Sequence, residues 1–244
     1  MLLGLSRLSA GVAMFAVVVS ACGAVEGKED DRAGKDAPDP RTAADGTERL
    51  KRALLPMPPA QADDPLRYGP VAGPYSAVVA QLTDGRAWPT DGRCVKLMSV
   101  PGRIEELGGE GRLAPAALAM WTDRARGILV QETILRLSGT ATRRLVSAEV
   151  PGACRSYSYS LEGRRYRRTL KSDLVRQRGD ASERIQLIED QDGKGTTRAC
   201  TLIHQRGEYA LLLSVSQARA SFLSTVCLDV IKEAGARAAA ALRQ

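Results

Sequence analysis

Five cysteines and a single histidine bound the chemistry open to this chain. The first cysteine has a distinctive setting. Met1 to Arg7 carries one positive charge, Leu8 to Val19 is apolar, and Val19-Ser20-Ala21 puts small residues before Cys22. That is the order of an export signal. Val19-Ser20-Ala21-Cys22 also follows the aliphatic, small, small, cysteine pattern of a bacterial lipobox, whose thiol receives a diacylglyceryl group. The apolar run of about 14 residues falls short of the roughly 20 that span a bilayer as a helix. The expectation is a lipoprotein signal peptide over residues 1–21, cut before Cys22. The mature chain is then held on the extracytoplasmic face of the cell membrane by acyl groups such as palmitate. Two acyl chains anchor stably where one binds marginally.

With Cys22 set aside, Cys94, Cys154, Cys200 and Cys227 remain. An even number in an exported chain reads as two disulfides, with three pairings open. There is no CxxC spacing and His204 is the sole histidine, so neither a zinc site nor another metal or cofactor is expected. His204 lies between Ile203 and Gln205 in an expected strand and reads as a strand residue rather than a general base. GxSxG, HExxH and P-loop patterns are absent, which removes the commonest hydrolase and nucleotide-binding signatures. Glu105-Glu106 are adjacent and read as a solvated face. Asp190 and Asp192 sit beside glycines without EF-hand spacing and read as turn residues. No catalytic residue is therefore expected. The strongest charged feature is basic: Arg164, Arg165, Arg167, Arg168, Lys171, Arg176 and Arg178 crowd fifteen residues. They read either as an exposed strand kept in solution by charge or as an anion-binding patch for headgroups, phosphorylated wall polymers or an acidic partner protein. Tyr157, Tyr159 and Tyr166 interleave with them, but export argues against a nucleic-acid role.

The elements that must position these residues follow from the pattern. Residues 22–48 read as the lipidated cysteine and a disordered acidic tether. Residues 23–48 carry eight acidic and four basic side chains and almost no large apolar one, too little to offset the entropy of ordering. The chain carries +7 overall, Arg7 included. The tether's −4 therefore leaves +10 from residue 49 onward. Residues 49–93 read as a helical and irregular lead-in: a helix over Glu48 to Leu55, an irregular Pro59 to Pro74, and a short helix over Tyr75 to Leu82. Residues 94–244 read as an α+β domain. Cys94 to Met98 begins its order, a glycine-rich loop follows around Gly108 to Gly111, and Leu113 to Arg126 is expected as a helix with Pro115 in its first turn. Ile128 to Leu137 is a strand, and Thr140 is the expected N-cap of a helix through Val150. Tyr166 to Arg178 alternates as a strand, Gly179-Asp180 turns into a strand over Arg184 to Glu189, and Gln191 to Gly195 turns again. Thr197 to Gln205 and Glu208 to Ser216 form a hairpin around Arg206-Gly207, and Ser221 to Leu242 closes the chain as an amphipathic helix. The order implies an antiparallel sheet flanked by helices. Aromatics make up only 4% of the chain, so Leu, Val, Ile and Ala must build its core.

Spread over the last 150 residues or so, this set resembles a domain of actinobacterial lipoproteins that also forms the extracellular sensor domain of the receptor serine/threonine kinase PknH. The matching features are Cys94 with Leu97, Ala116-Ala117 before the strand Ile128 to Leu137, and a helix bearing Leu145 and Ala148 that ends at Cys154 with Tyr157 behind. The basic strand before Gly179-Asp180, the hairpin Arg206 to Leu212 and the terminal helix complete it. The resemblance implies an antiparallel sheet flanked by helices, a cleft for an unidentified ligand, and the pairing Cys94–Cys154, which leaves Cys200 with Cys227. It also implies a non-catalytic binding or sensing module of the cell envelope. The sequence shows no kinase and no second apolar span, so signalling would pass through a separate partner. The alternatives are an envelope enzyme with a carboxylate site not identified in the sequence, or a carrier for lipid or polymer.

Overall fold

The computed structural model describes residues 40–58, 67–83, 92–161, 163–217 and 224–242. The export signal, Cys22 and the tether up to residue 39 lie outside the described residues. The elements run α1 (Pro40–Ala53), β1 (Tyr68–Pro74), α2 (Tyr75–Thr83), α3 (Arg93–Met98), α4 (Val100–Glu105), α5 (Gly109–Leu113), β2 (Pro115–Asp123), β3 (Ile128–Arg136) and α6 (Gly139–Ser147). After a 3-10 turn at Gly152–Cys154 come β4 (Ser156–Leu161), β5 (Arg164–Arg178), β6 (Ala181–Asp192), β7 (Gly195–Arg206), β8 (Tyr209–Gln217) and α7 (Ser224–Ala241). Eight strands form one sheet in the order β1-β2-β3-β8-β7-β6-β5-β4. Every pairing is antiparallel. Among the described residues no helix is long and apolar enough to cross a membrane.

Side chains on successive strand positions point to opposite faces, and both faces of the central strands are apolar. On the first face, Ile128, Val130 and Ile134 of β3 meet Leu211, Leu213 and Val215 of β8 beneath α1 and α7, which bring Leu50, Leu54, Val230, Ile231 and Ala234. On the second face, Leu118, Leu135, Leu212 and Ile203 pack under α2 and α6, through Val78, Val79, Ala141, Leu145 and Val146. The result is helix, sheet, helix. Each fully buried aliphatic side chain contributes about 1.5–3 kcal/mol, so these two layers supply the main cohesion. The disulfides staple one layer each: Cys94 of α3 to Cys154, and Cys200 of β7 to Cys227 of α7.

The α+β architecture, the paired cysteines, β3 and the strands β5 to β8 match expectation. The strand β4 is absent from the expected set, Gly109–Leu113 is the short helix α5 where a glycine-rich loop is expected, and four further local expectations do not hold. Residues 115–123 form a strand, not a helix. Ala116, Ala117, Leu118 and Ala119 are all buried because β2 lies between β1 and β3 with helices on both sides. A strand buried on both faces loses its alternation, and its alanine- and leucine-rich composition then mimics a helix. Tyr68–Pro74, expected to be irregular, is the edge strand β1, where Pro70 and Pro74 are tolerated because one side of the strand is unpaired. The cap of α6 is Ser138, whose Oγ accepts the N–H of Ala141 at 3.2 Å, rather than Thr140. Finally, α1 begins at Pro40, so residues 40–48, expected as the end of the tether, are helical. The final helix is described over Ser224–Ala241; Ser221, Phe222 and Leu223 of the expected helix lie outside the described residues.

Candidate functional site

The basic run occupies β5, and a bulge divides it. Leu170 pairs with Ile188 while Ser172 pairs with Leu187, so Lys171 is the extra residue. A bulge reverses which positions face which side. Tyr166, Arg168 and Leu170 turn to the second face, whereas the expected continuation of that face, Ser172 and Leu174, lies on the first. Arg168 is 5% exposed. Its Nε and Nη2 reach the two carboxylate oxygens of Asp190 at 2.8 and 2.6 Å, and its guanidinium lies 5.1 Å from the Tyr159 ring centroid. Burial works against the Arg168 charge, but the Asp190 carboxylate more than offsets it and holds the group protonated. Tyr159 stacks on Tyr166 with ring centroids 5.2 Å apart. Arg168 is thus an internal strut and not part of a surface patch.

The other cations are exposed. Lys171 reaches Glu189 at 3.2 Å, a carboxylate it shares with Arg198, and Arg167 donates to Ser156 Oγ at 3.3 Å. Arg164, Arg165 and Arg176 are exposed; the Arg178 side chain lies outside the described residues. Arg165 and Arg167 stand beside Ser156, Ser158 and Ser160 on the first face of β4 and β5, beyond the strands that α1 and α7 cover.

A concavity floored by the middle of the sheet lies on the second face. It is a shallow cleft, with a cavity volume of about 50 Å³, between the α3–α4 junction and the middle of the sheet. Met98, Ser99, Val100 and Pro101 form its wall; Gln131, Thr133, Leu212, Ser214, Ala199, Thr201 and Ile188 form its floor, with Arg168 at one end. The wall is fixed from three sides. Ser99 Oγ accepts the Gly102 N–H at 3.1 Å. A Cβ on Gly102 would fall 2.5 Å from Lys96 Cα, so only glycine lets α3 and α4 come this close. The Cys94–Cys154 disulfide ties α3 to the turn before β4, and Leu97 and Met98 pack on Leu170 and Ile188.

Register explains the floor. Gln131 of β3 pairs with Ser214 of β8, Ser214 with Thr201 of β7, Thr201 with Gln186 of β6, and Gln186 with Asp173 of β5. Five adjacent strands therefore carry one row of hydrogen-bonding side chains. At the β5 end the row is satisfied internally. Gln186 donates to Asp173 at 3.1 Å, and Asp173 takes a bidentate pair from Arg184 at 2.7 and 2.5 Å. Burial opposes the Asp173 charge, but the Arg184 guanidinium wins and holds the carboxyl below the usual carboxylate range. Arg184 also donates to the carbonyls of Val146 and Ala148 at the end of α6, and Arg103 reaches Leu145 and Ala148. Burial and the nearby Arg184 lower the Arg103 pKa to about 10. In the cleft, Gln131, Thr133, Thr201 and Ser214 have no side-chain hydrogen-bond partner among the described residues. Sequence reasoning passed over these four, because polar residues are ordinary in β3 and β7 and only the register between strands brings them together.

The remaining candidates fall into place separately. His204 Nδ1 is 3.1 Å from Glu183 Oε1, at the rim of a second hollow lined by Asp180, Arg206, Glu208, Tyr209, Leu211 and the end of α7. Among the described residues lining that hollow there is no serine, threonine or cysteine for His204 to activate. Glu105 and Glu106 are both exposed. Asp192 is a turn residue, its Oδ1 accepting the N–H groups of Lys194 and Gly195 at 2.8 Å. Asp190, expected in the same role, is instead the partner of Arg168. Among the described residues no group of three or more His, Cys, Asp or Glu side chains is arranged to hold a metal ion.

No family model matches the chain, and no curated protein matches its sequence. Among solved structures, an uncharacterized protein from Mycobacterium smegmatis is similar over 51% of this chain and 64% of its own, with 12% identity and a TM-score of 0.33. The extracellular domain of PknH from Mycobacterium tuberculosis is similar over 81% of this chain and 97% of its own, with 11% identity and a TM-score of 0.50. The resemblance read from the sequence therefore holds at the level of fold: this chain has the architecture of the PknH extracellular domain.

Proposed function

We propose that this chain is a non-catalytic, extracytoplasmic binding or sensing module of the cell envelope, anchored by lipid on Cys22, whose ligand enters the cleft between α3–α4 and the sheet. The observation that carries the reading is the cleft floor. Three polar side chains in a fixed row, with Thr133 beside them, have no side-chain hydrogen-bond partner among the described residues, next to a wall stapled by a disulfide. Rigid scaffolds with a few convergent polar groups are what ligand sites require. The likeness of fold to an extracellular domain supports the extracytoplasmic setting. A ligand in the cleft would bridge α3–α4 to β3, β8 and β7 and so tighten the second layer against the sheet, a change that a partner protein could detect. The exposed cations Arg164, Arg165, Arg167 and Arg176 give the neighbouring strands a positive surface suited to an anionic envelope component or partner.

Native mass spectrometry of the protein purified from its own envelope tests this reading. The expected result is a retained small molecule that is lost when Ser214→Trp fills the cleft. Turnover of an envelope substrate, abolished by one point substitution, would replace the binding reading with an enzymatic one. Co-purifying acyl chains would favour a carrier.

A further inference from the structure

We propose that the ligand of the cleft is a neutral saccharide, bound by its hydroxyl edges to the polar row and by its C–H faces to the apolar wall. This inference rests on the cleft being the binding site and names the chemistry that the site selects.

Charge comes first. Among the described residues lining the cleft, Arg168 is the one charged side chain, and both oxygens of Asp190 already neutralise it. An anionic ligand would find no free cation in the cleft, and a cationic ligand no free carboxylate. Polarity comes second. Gln131, Ser214 and Thr201 occupy one cross-strand row, with Thr133 two residues from Gln131 on the same face of β3. Neighbouring strands are about 4.8 Å apart, so the row offers an amide and then two hydroxyls at intervals comparable with the span of one sugar ring. Amides and hydroxyls donate and accept, which suits an array of hydroxyls whose own donor and acceptor roles are mixed. An acyl chain laid along this floor would desolvate all four groups without replacing their bonds to water, at about 1–3 kcal/mol each.

Shape comes third. Met98, Val100 and Pro101 on the wall, with Leu212 and Ile188 on the floor, give the cleft apolar surface that hydroxyls alone would not need. A pyranose has both characters, a ring of hydroxyls at its edge and C–H groups on its faces. The cavity volume of about 50 Å³ admits the hydroxyl edge of one ring, with the rest of the saccharide outside the cleft.

The test uses the full-length protein in a detergent without a sugar headgroup. Saturation-transfer NMR is recorded with maltotriose and cellotriose as neutral saccharide probes and with cis-parinaric acid as an acyl probe. The expected result is transfer to at least one saccharide. That binding weakens about 3- to 10-fold for each of Thr201→Val and Ser214→Ala, the loss of one hydrogen bond, and disappears in Ser214→Trp. Thermal unfolding at the wild-type temperature identifies variants that remain folded, and Gln131→Leu supplies a third if one does not. Absence of transfer to both saccharides overturns the proposal, as does saccharide binding that survives Ser214→Trp. If cis-parinaric acid binds and Ser214→Trp expels it while both saccharides fail, the cleft stands as a site and the saccharide assignment falls. If all three probes fail, both fall together.

Discussion

Arg168 and Glu132 show what single side chains do in this molecule. Arg168 and Asp190 are a buried bidentate pair, with side chains 6% and 13% exposed. Removing one member leaves the other charged in a dry setting, which costs about 3–5 kcal/mol, whereas replacing both with apolar residues is close to neutral. Arg168→Met should therefore lower unfolding free energy by that amount in urea titrations, and Arg168→Met with Asp190→Leu should restore most of it. Glu132 is the other extreme, a carboxyl 0% exposed on the first face of β3. One oxygen accepts the Leu55 N–H at 2.7 Å; the other has no partner among the described residues. On α7, Arg237 donates to the Leu54 carbonyl. Burial pushes the Glu132 pKa up to about 7, while Leu55 and Arg237 pull it down and Glu233 adds to the rise. An unfolded glutamate titrates near about 4.3. The folded state therefore keeps a proton that the unfolded chain releases across that interval. Stability from this group is complete below the interval and is lost as pH rises through it, by about 4 kcal/mol. Denaturant unfolding at pH 5 and pH 8 should show most of that fall in the wild type. Glu132→Gln, which keeps the acceptor for Leu55, should remove the slope.

At the scale of elements, the two staples are not equivalent in what they hold. Cys200–Cys227 closes a separation of 27 residues and fixes α7 to β7 over the first core; Cys94–Cys154 closes 60 and fixes the cleft wall. The chain-entropy argument assigns them about 3.5 and 4 kcal/mol. Paired serine substitutions should lower stability by similar amounts, as read from melting temperatures. Only Cys94→Ser with Cys154→Ser should also raise amide exchange in α3 and α4, because those helices cover the cleft. The elements also show how far the sequence carried. The β7–β8 hairpin was legible because Gly207, at φ 57°, occupies a turn position that favours glycine. β2 was not, since burial on both faces erased its period. The bulge at Lys171 was not legible either: nothing local separates a bulged strand from a continuous alternating one, and only pairing with β6 decides it.

The whole molecule divides its labour between two faces. One is closed by α1 and α7 and carries the longest apolar core; the other is open at the cleft. α1 packs on the first face, opposite the cleft. Cys22→Ala should lose the acyl mass by intact-mass measurement and move the protein out of the membrane fraction. Retention in that fraction would remove lipid on Cys22 as the anchor.

The sequence by itself determined what depends on covalent chemistry and short-range pattern: the export and lipidation signal as an expectation, the even cysteine set, the turns that join β5 to β6, β6 to β7 and β7 to β8, the terminal helix, and the α+β class. These are written within a few residues of one another, where propensity, turn chemistry and periodicity act. Tertiary structure alone decided the rest. Which of the seven clustered cations is buried, which aspartate answers it, and which four polar side chains meet in one cleft all depend on register between strands far apart in the chain. Gln131, Ser214 and Thr201 are unremarkable in their own segments. Backbone hydrogen bonds across β3, β8 and β7 make them a single row.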